Sequence, residues 1–406
     1  SRDIRVPLLI GGATTSPQHT AVKIAPEFSE CVVHVTDASR VTDVVSNLLK
    51  EERRGGFEQS NQADQARLRE QFSSRGQREL ASYEVACSNS LATDWDSVDI
   101  PVPSFLGLRA IDVPLSTLTP FIDWTFFFSA WELRGRFPAI LEHPRYGDAA
   151  RELYEHATQQ LSAIVKDGLI TARGTYGFWP ANADGEDILV YTPGTRDEIV
   201  RFNMLRQQEV RGDERPHRSL VDFVAPVETG RVDHIGAFAI TSGIGVDALV
   251  VQYERDHDDY QAIMVKALAD RLAEAFAEYL HARVRGEWGY APDETLSQDD
   301  LRSELYRGIR PAFGYPACPD HSEKFKLLSL LEAKNLGIDL TESAAMTPAA
   351  SVSGLYFAHP DARYFDIGKI GADQMDSYAT RKRFTLDEAE RWLTANLAYD
   401  PTSADS

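Results

Sequence analysis

"GIRPAFGYPACPDHSEK" spans Gly308–Lys324 and places Pro311, Pro316 and Pro319 within nine residues. Each proline lacks an N–H and drives the residue before it into extended conformations, so the stretch is neither a helix nor a central strand. It predicts a stiff, extended segment whose amides and carbonyls stay clear of a ladder. Such a segment loses little entropy when a ligand docks on it. Arg310 supplies a planar fork suited to a carboxylate or phosphate. Tyr315 supplies an aromatic face that attracts cations, a sulfonium among them.

The sequence on either side reads as a large domain of mixed helices and strands. Upstream, "DDYQAIMVKALADRLAEAFAEYLHARVRGEWGY" (258–290) is the most regular segment of the chain. Tyr260, Ile263, Met264, Ala267, Leu268, Leu272, Ala275, Tyr279 and Leu280 give it one apolar helical face. Asp258 and Asp259 stand where they cap its first turn and oppose its dipole, a better account of "DHDDY" than a metal cluster. Glu274 falls at the edge of the apolar face, so it needs either a basic partner or a cavity. "DILVY" (187–191) and "IGAFAIT" (235–241) read as buried strands, with a turn at Asp184-Gly185 before the first. Downstream, "SVSGLYFAHPDARYFDIGKI" (351–370) reads as two strands joined by a turn at "HPDA". A strand there sends Tyr364 and Phe365 to opposite faces, one to the core and one free to stack on a ligand. "FIDWTFFFSAWEL" (121–133) packs six aromatics around Asp123.

The first 50 residues have a different pattern. "VPLLIGG" and "CVVHVTDAS" are strands, each followed by a helical stretch, in the order of an open parallel sheet. The opening residues have no signal-peptide pattern and enter directly on a strand, so the chain is expected to begin inside a domain. Residues 51–84 are polar and charged and read as a partly helical linker.

Composition limits the function classes. The chain has 406 residues, 62 acidic against 42 basic, and a formal net charge of -20. That balance argues against nonspecific nucleic-acid binding and against an anionic membrane surface. Three cysteines without a CxxC pair fit a reducing cytoplasm, not a disulfide framework or a zinc site. "SGIG" (242–245) is too short a signal for a phosphate loop, and no Walker, GxSxG or HExxH motif occurs.

The strings "VPLLIGGATTS", "AVKIAPEF", "FIDWTFFF", "FPAILEH", "ANADGEDI", "DHIGAFAITSG", "GIRPAFGYPACPDHSEK", "LTESAAM" and "SVSGLYFAHPDARYFDIGKI" closely resemble the C-terminal part of cobalamin-dependent methionine synthases. The resemblance runs through nearly the whole chain in the family's order. It implies an α+β fold: a curved reactivation domain (85–400) with a twisted antiparallel sheet and flanking helices. A partial Rossmann-like α/β segment (1–50), the end of a cobalamin-binding domain, would precede it. Family members move a methyl group from methyltetrahydrofolate to cobalamin and on to homocysteine. The reactivation domain binds S-adenosylmethionine and restores methylcobalamin from oxidised cob(II)alamin, with an electron from flavodoxin or a flavoprotein reductase.

Carried onto this sequence, the family's S-adenosylmethionine contacts fall on Asp123 (amino group), Arg310 (carboxylate) and Tyr364 with Phe365 (adenosyl part). Glu274 and Tyr315 are expected in the same pocket, and Gly11, Gly12 and Ala38 beside the nucleotide tail of cobalamin. Phe126 and Phe313 stand where the family usually has proline, which puts pocket shape in question. The DxHxxG cobalt-ligand motif, the folate barrel and the zinc-bearing homocysteine barrel are not in this sequence. The expected partner is therefore a cobalamin-binding domain on the same or a separate chain. The alternative is a module that only senses S-adenosylmethionine or docks an electron donor.

Overall fold

The computed structural model describes residues 6–11, 17–35, 41–74, 79–210, 212, 215–291, 300 and 305–401. They fall into two compact units, Ser1–Glu79 and Leu80–Ser406.

In the first unit, β1 (Leu8–Gly11) and β2 (Val32–Val35) pair in parallel, Leu8 opposite Val32 and Gly11 opposite Val35. Short helical turns over 17–27 make the crossover. Helix α1 (Val41–Leu49) adds Val44 and Leu48 to a small core with Leu9, Val33 and Val35. The charged stretch expected as a linker is instead mostly one helix of this unit, α2 (Glu51–Ser74). Its polar side chains hold it there. Asn61 and Gln65 both donate to the Val32 carbonyl, at 2.8 and 2.7 Å, and Arg69 donates to the Ala21 carbonyl at 3.0 Å. Among the described residues of the helix, Phe57 alone adds an apolar contact to the core. A helix docked by amides has no apolar stripe, so periodicity reads it as solvated.

The second unit is built on an antiparallel sheet of six strands with helices flanking it. Its axis is β4 (Thr171–Asp184), whose 14 residues serve two partners on one edge. The first half pairs with β3 (Gly107–Val113), and the end turns at Gly185 into β5 (Asp187–Tyr191), as expected. Strand β6 (Glu198–Asn203) follows β5, while β7 (Asp233–Ile244) lies along the other edge of β4.

Both faces of the sheet are buried, and alternation decides which residue faces which core. Ala172, Tyr176, Phe178, Phe238 and Ile240 face the core made with α5 (Gly147–Asp167), α6 (Val246–Arg255) and α7 (Asp259–Glu287). Trp179, Ala181, Ala183, Ile235, Ala237 and Ala239 face the core made with α8 (Glu323–Leu330). Further helices are α3 (Tyr83–Ser88), α4 (Trp124–Ala130), α9 (Ala372–Lys382) and α10 (Leu386–Leu393). In α7, Asp258 caps the helix by accepting from the Gln261 N–H at 3.1 Å, as its position predicts. Ile263 and Tyr260, expected on the buried face, are 54% and 38% exposed; Ala262, Val265 and Ala269 take the buried positions.

Strands β8 (Asp339–Leu340) and β9 (Met346–Thr347) form a small separate pair. Strand β10 (Ser351–Tyr356) completes the main sheet against β7. The second strand expected over 362–370 does not form. After the turn at Pro360-Asp361 the chain runs as an extended loop, because its polar groups bond elsewhere. Gln207 donates to the Asp366 carbonyl at 2.6 Å, and the Ile367 N–H donates to the Pro316 carbonyl at 2.9 Å. No helix among the described residues is long and apolar enough to cross a membrane.

Candidate functional site

The start of the Gly308–Lys324 segment lies along the free edge of β10, and its last two residues, Glu323 and Lys324, begin α8. The Ile309 N–H donates to the Phe357 carbonyl at 3.1 Å, and Phe357 returns the bond at 3.0 Å. The Leu355 N–H donates to the Pro311 carbonyl at 2.9 Å. The expectation that this segment's backbone stays out of a ladder is therefore corrected. A proline accepts through its carbonyl while offering no N–H, so the segment pairs as an edge and goes no further. Gly308 makes the approach possible: its φ is +87°, and a Cβ there would stand 2.4 Å from the Phe357 carbonyl oxygen.

The extended 362–370 loop packs on this segment, and between loop, segment and α7 lies a cleft of about 470 Å³. Arg310, Pro311, Tyr315, Tyr364, Phe365 and Glu274 contribute to its walls, and Phe238 and Val352 rise from the sheet. A volume of this size, mostly apolar with a few convergent polar groups, is that of a small-molecule site.

Arg310 is fixed at both ends. Its backbone N–H donates to the Tyr364 hydroxyl at 3.0 Å, and its guanidinium pairs with Glu278, one helical turn beyond Glu274. Tyr364 and Phe365 both line the cleft. Their separation onto opposite faces fails because the backbone there is a loop; Phe365 also meets Phe223 edge-on at 6.3 Å. Glu274 makes no hydrogen bond or ion pair among the described residues, so the salt-bridge reading has no support there and the cavity reading does. Tyr315 is 62% exposed, its ring forming the open rim.

Behind the cleft, Tyr356 and His281 are buried. Tyr356 stacks between Phe238 and His281, at 4.7 and 5.3 Å. Burial raises the Tyr356 hydroxyl well above its ordinary pKa, which the Arg310 charge opposes. Burial, then the charges of Arg310 and Arg285, hold the His281 imidazole well below its ordinary value.

Asp123 is not among the residues that line the cleft. It is the N-cap of α4, its Oδ1 accepting from the Thr125 N–H at 2.8 Å. The segment before it reaches α7 through Phe121, whose ring meets Tyr279 at 5.7 Å. Of the two departures from proline, Phe313 is buried against Phe202 at 5.5 Å and Phe126 is 62% exposed; neither lines the cleft.

In the first unit, Gly11 ends β1, at the carboxyl edge of the parallel pair, while Gly12 and Ala38 lie outside the described residues. No His, Cys, Asp and Glu cluster suited to a metal occurs among the described residues.

Sequence reasoning missed Glu278, which reads as one more exposed helical carboxylate. Its spacing of four from Glu274 was the available signal, since residues so spaced share a helix face.

Residues 114–383 match the family described as vitamin B12 dependent methionine synthase, activation domain. The chain is also similar to a solved crystal structure of the MetH reactivation domain bound to AdoHcy. The identity is 48% and the TM-score 0.77, over 79% of this chain and 99% of that one. A match over most of the chain, joined to a twisted antiparallel sheet with flanking helices, has one conclusion: this chain belongs to the activation-domain family of vitamin B12-dependent methionine synthases.

Proposed function

We propose that the second unit binds S-adenosylmethionine in the 470 Å³ cleft and presents its methyl group for reductive methylation of cobalamin. The observation that carries the reading is the juxtaposition of Arg310, Glu274 and the Tyr364-Phe365 pair on one cleft. A carboxylate, a cationic centre and an adenine each find a matching wall. The AdoHcy bound to the similar reactivation domain supports the same ligand class. Arg310 takes the amino-acid carboxylate. Asp123 and Glu274 are the candidate partners of the ammonium group. Tyr364, Phe365 and Tyr315 supply aromatic surface to the adenosyl part and the sulfonium.

For cobalamin, the first unit offers Gly11 at the carboxyl end of a parallel strand, where open α/β sheets hold their ligands, which fits a nucleotide tail. When bound, cobalamin supplies the reduced cobalt nucleophile that accepts the methyl group. The chain's own residues need no general base. They bind the donor, orient its methyl group and so turn a bimolecular encounter into a local one. The remaining partners in this reading are a cobalamin-binding domain and a flavodoxin or flavoprotein reductase, in the cytoplasm.

Calorimetric titration with S-adenosylmethionine and S-adenosylhomocysteine tests the reading. Saturable one-site binding is expected for both, and absence of binding to the intact chain overturns it. Two variants sharpen the assignment. Asp123→Asn keeps a helix cap, because Asn caps as well as Asp, but removes the charge. The expected result is an unchanged Tm with a several-fold loss of affinity. Tyr364→Phe keeps the ring and removes the hydroxyl from the Arg310 N–H. A loss of about 1 kcal/mol of binding, a few-fold in Kd, is expected from one neutral hydrogen bond.

A further inference from the structure

Arg310 reaches the cleft with a counter-ion already in place. Glu278 Oε1 accepts from its Nη2, the two side chains being 30% and 16% exposed. Glu278 does not line the cleft, whereas Arg310 does. The carboxylate thus holds the guanidinium from beside the ligand space. Around the pair, burial disfavours the charged forms of Tyr356 and His281, and the Tyr364 hydroxyl accepts from the Arg310 N–H. An arginine side chain has several freely rotating bonds, and fixing it on the ligand costs rotamer entropy at the moment of binding. A carboxylate that fixes it beforehand removes that cost.

We infer that Glu278 is a positioning residue: it pre-aims the Arg310 fork at the amino-acid carboxylate of the ligand, without touching the ligand itself. The inference rests on the S-adenosylmethionine reading of the cleft and deepens it. The rigid Arg310 backbone, tied to Tyr364 at one end and to the edge of β10 through Ile309 and Pro311, leaves the side chain as the one part still to be fixed.

The test uses the full chain, the variants Glu278→Ala and Glu278→Gln, and two ligands. One is S-adenosylhomocysteine, which carries the carboxylate. The other is 5′-methylthioadenosine, which keeps the adenosine and sulfur and lacks the amino-acid end. Glu278→Ala is expected to weaken S-adenosylhomocysteine about tenfold and to leave methylthioadenosine unchanged. Glu278→Gln still offers an oxygen to Nη2 and is expected to recover most of the loss. Equal weakening of both ligands would make Glu278 merely structural and overturn the inference. So would no weakening of either, or a Gln variant as poor as the Ala variant. If the unaltered chain binds neither ligand, the reading of the cleft itself fails, a distinguishable outcome. Melting curves of both variants separate loss of aim from loss of fold.

Discussion

Arg310→Ala is expected to lower affinity for S-adenosylmethionine by roughly a hundredfold, about 3 kcal/mol. Two effects add. The ligand's carboxylate loses a charge-assisted, fork-shaped partner, and Glu278 is left half-buried without its counter-ion. Arg310→Lys keeps the charge and loses the fork, so its affinity should fall between the native and alanine values. Titration calorimetry of the three proteins reads the order directly. A native-like Kd for Arg310→Ala would remove the arginine from the site and with it the present orientation of the ligand.

The second large effect concerns stability. Lys382 is almost fully buried, at the end of α9, with Asp320 2.8 Å away and Glu323 also in contact. Glu323 additionally accepts from Lys326 at 2.7 Å, and Asp320 from the Tyr378 hydroxyl at 2.6 Å. Lys382→Met removes one partner and leaves buried carboxylates undercompensated, which costs about 3–5 kcal/mol. All six tryptophans lie beyond residue 80, so their fluorescence in urea follows the second unit alone. An unchanged midpoint would show the network to be dispensable.

Acid gives an independent reading of the same network. Burial pushes the Asp320 carboxyl up, but Lys382, Tyr378 and Ser322 outweigh it, and its pKa ends below the ordinary value. A carboxyl depressed on folding contributes stability that is complete above its unfolded pKa, about 4. That stability is lost as pH falls through the folded pKa. The native protein should therefore weaken on acidification below about pH 4, and Lys382→Met should show less of that loss because its Asp320 is no longer held down.

Much of the candidate site was legible in residue types. A proline-stiffened run with an arginine and a tyrosine reads as a wall wherever it occurs, and Glu274 at the edge of an apolar face reads as a carboxylate in need of a reason. What stayed hidden depends on distant partners. Phe365 and Tyr364 line one cleft only because Gln207 and Pro316 draw the loop out of the sheet. Phe238 and Val352 look like any core residues until the strand order puts them under Arg310. Helix α2 reads as a linker because Asn61 and Gln65, residues typical of a solvated face, both bond to one strand carbonyl. Periodicity detects apolar burial and is blind to docking through amides.

The pairing of Ile309 and Pro311 with β10 also bears on how the protein avoids self-association. An uncovered outer strand presents a row of open N–H and C=O groups that recruits other chains. Here the Leu355–Phe357 end of the row is covered by a segment whose prolines cannot pass the pattern outward, so the wall of the cleft doubles as a guard against aggregation. Substitutions that loosen it should raise light scattering along with Kd, and a bound ligand that clamps Arg310 should lower the scattering again.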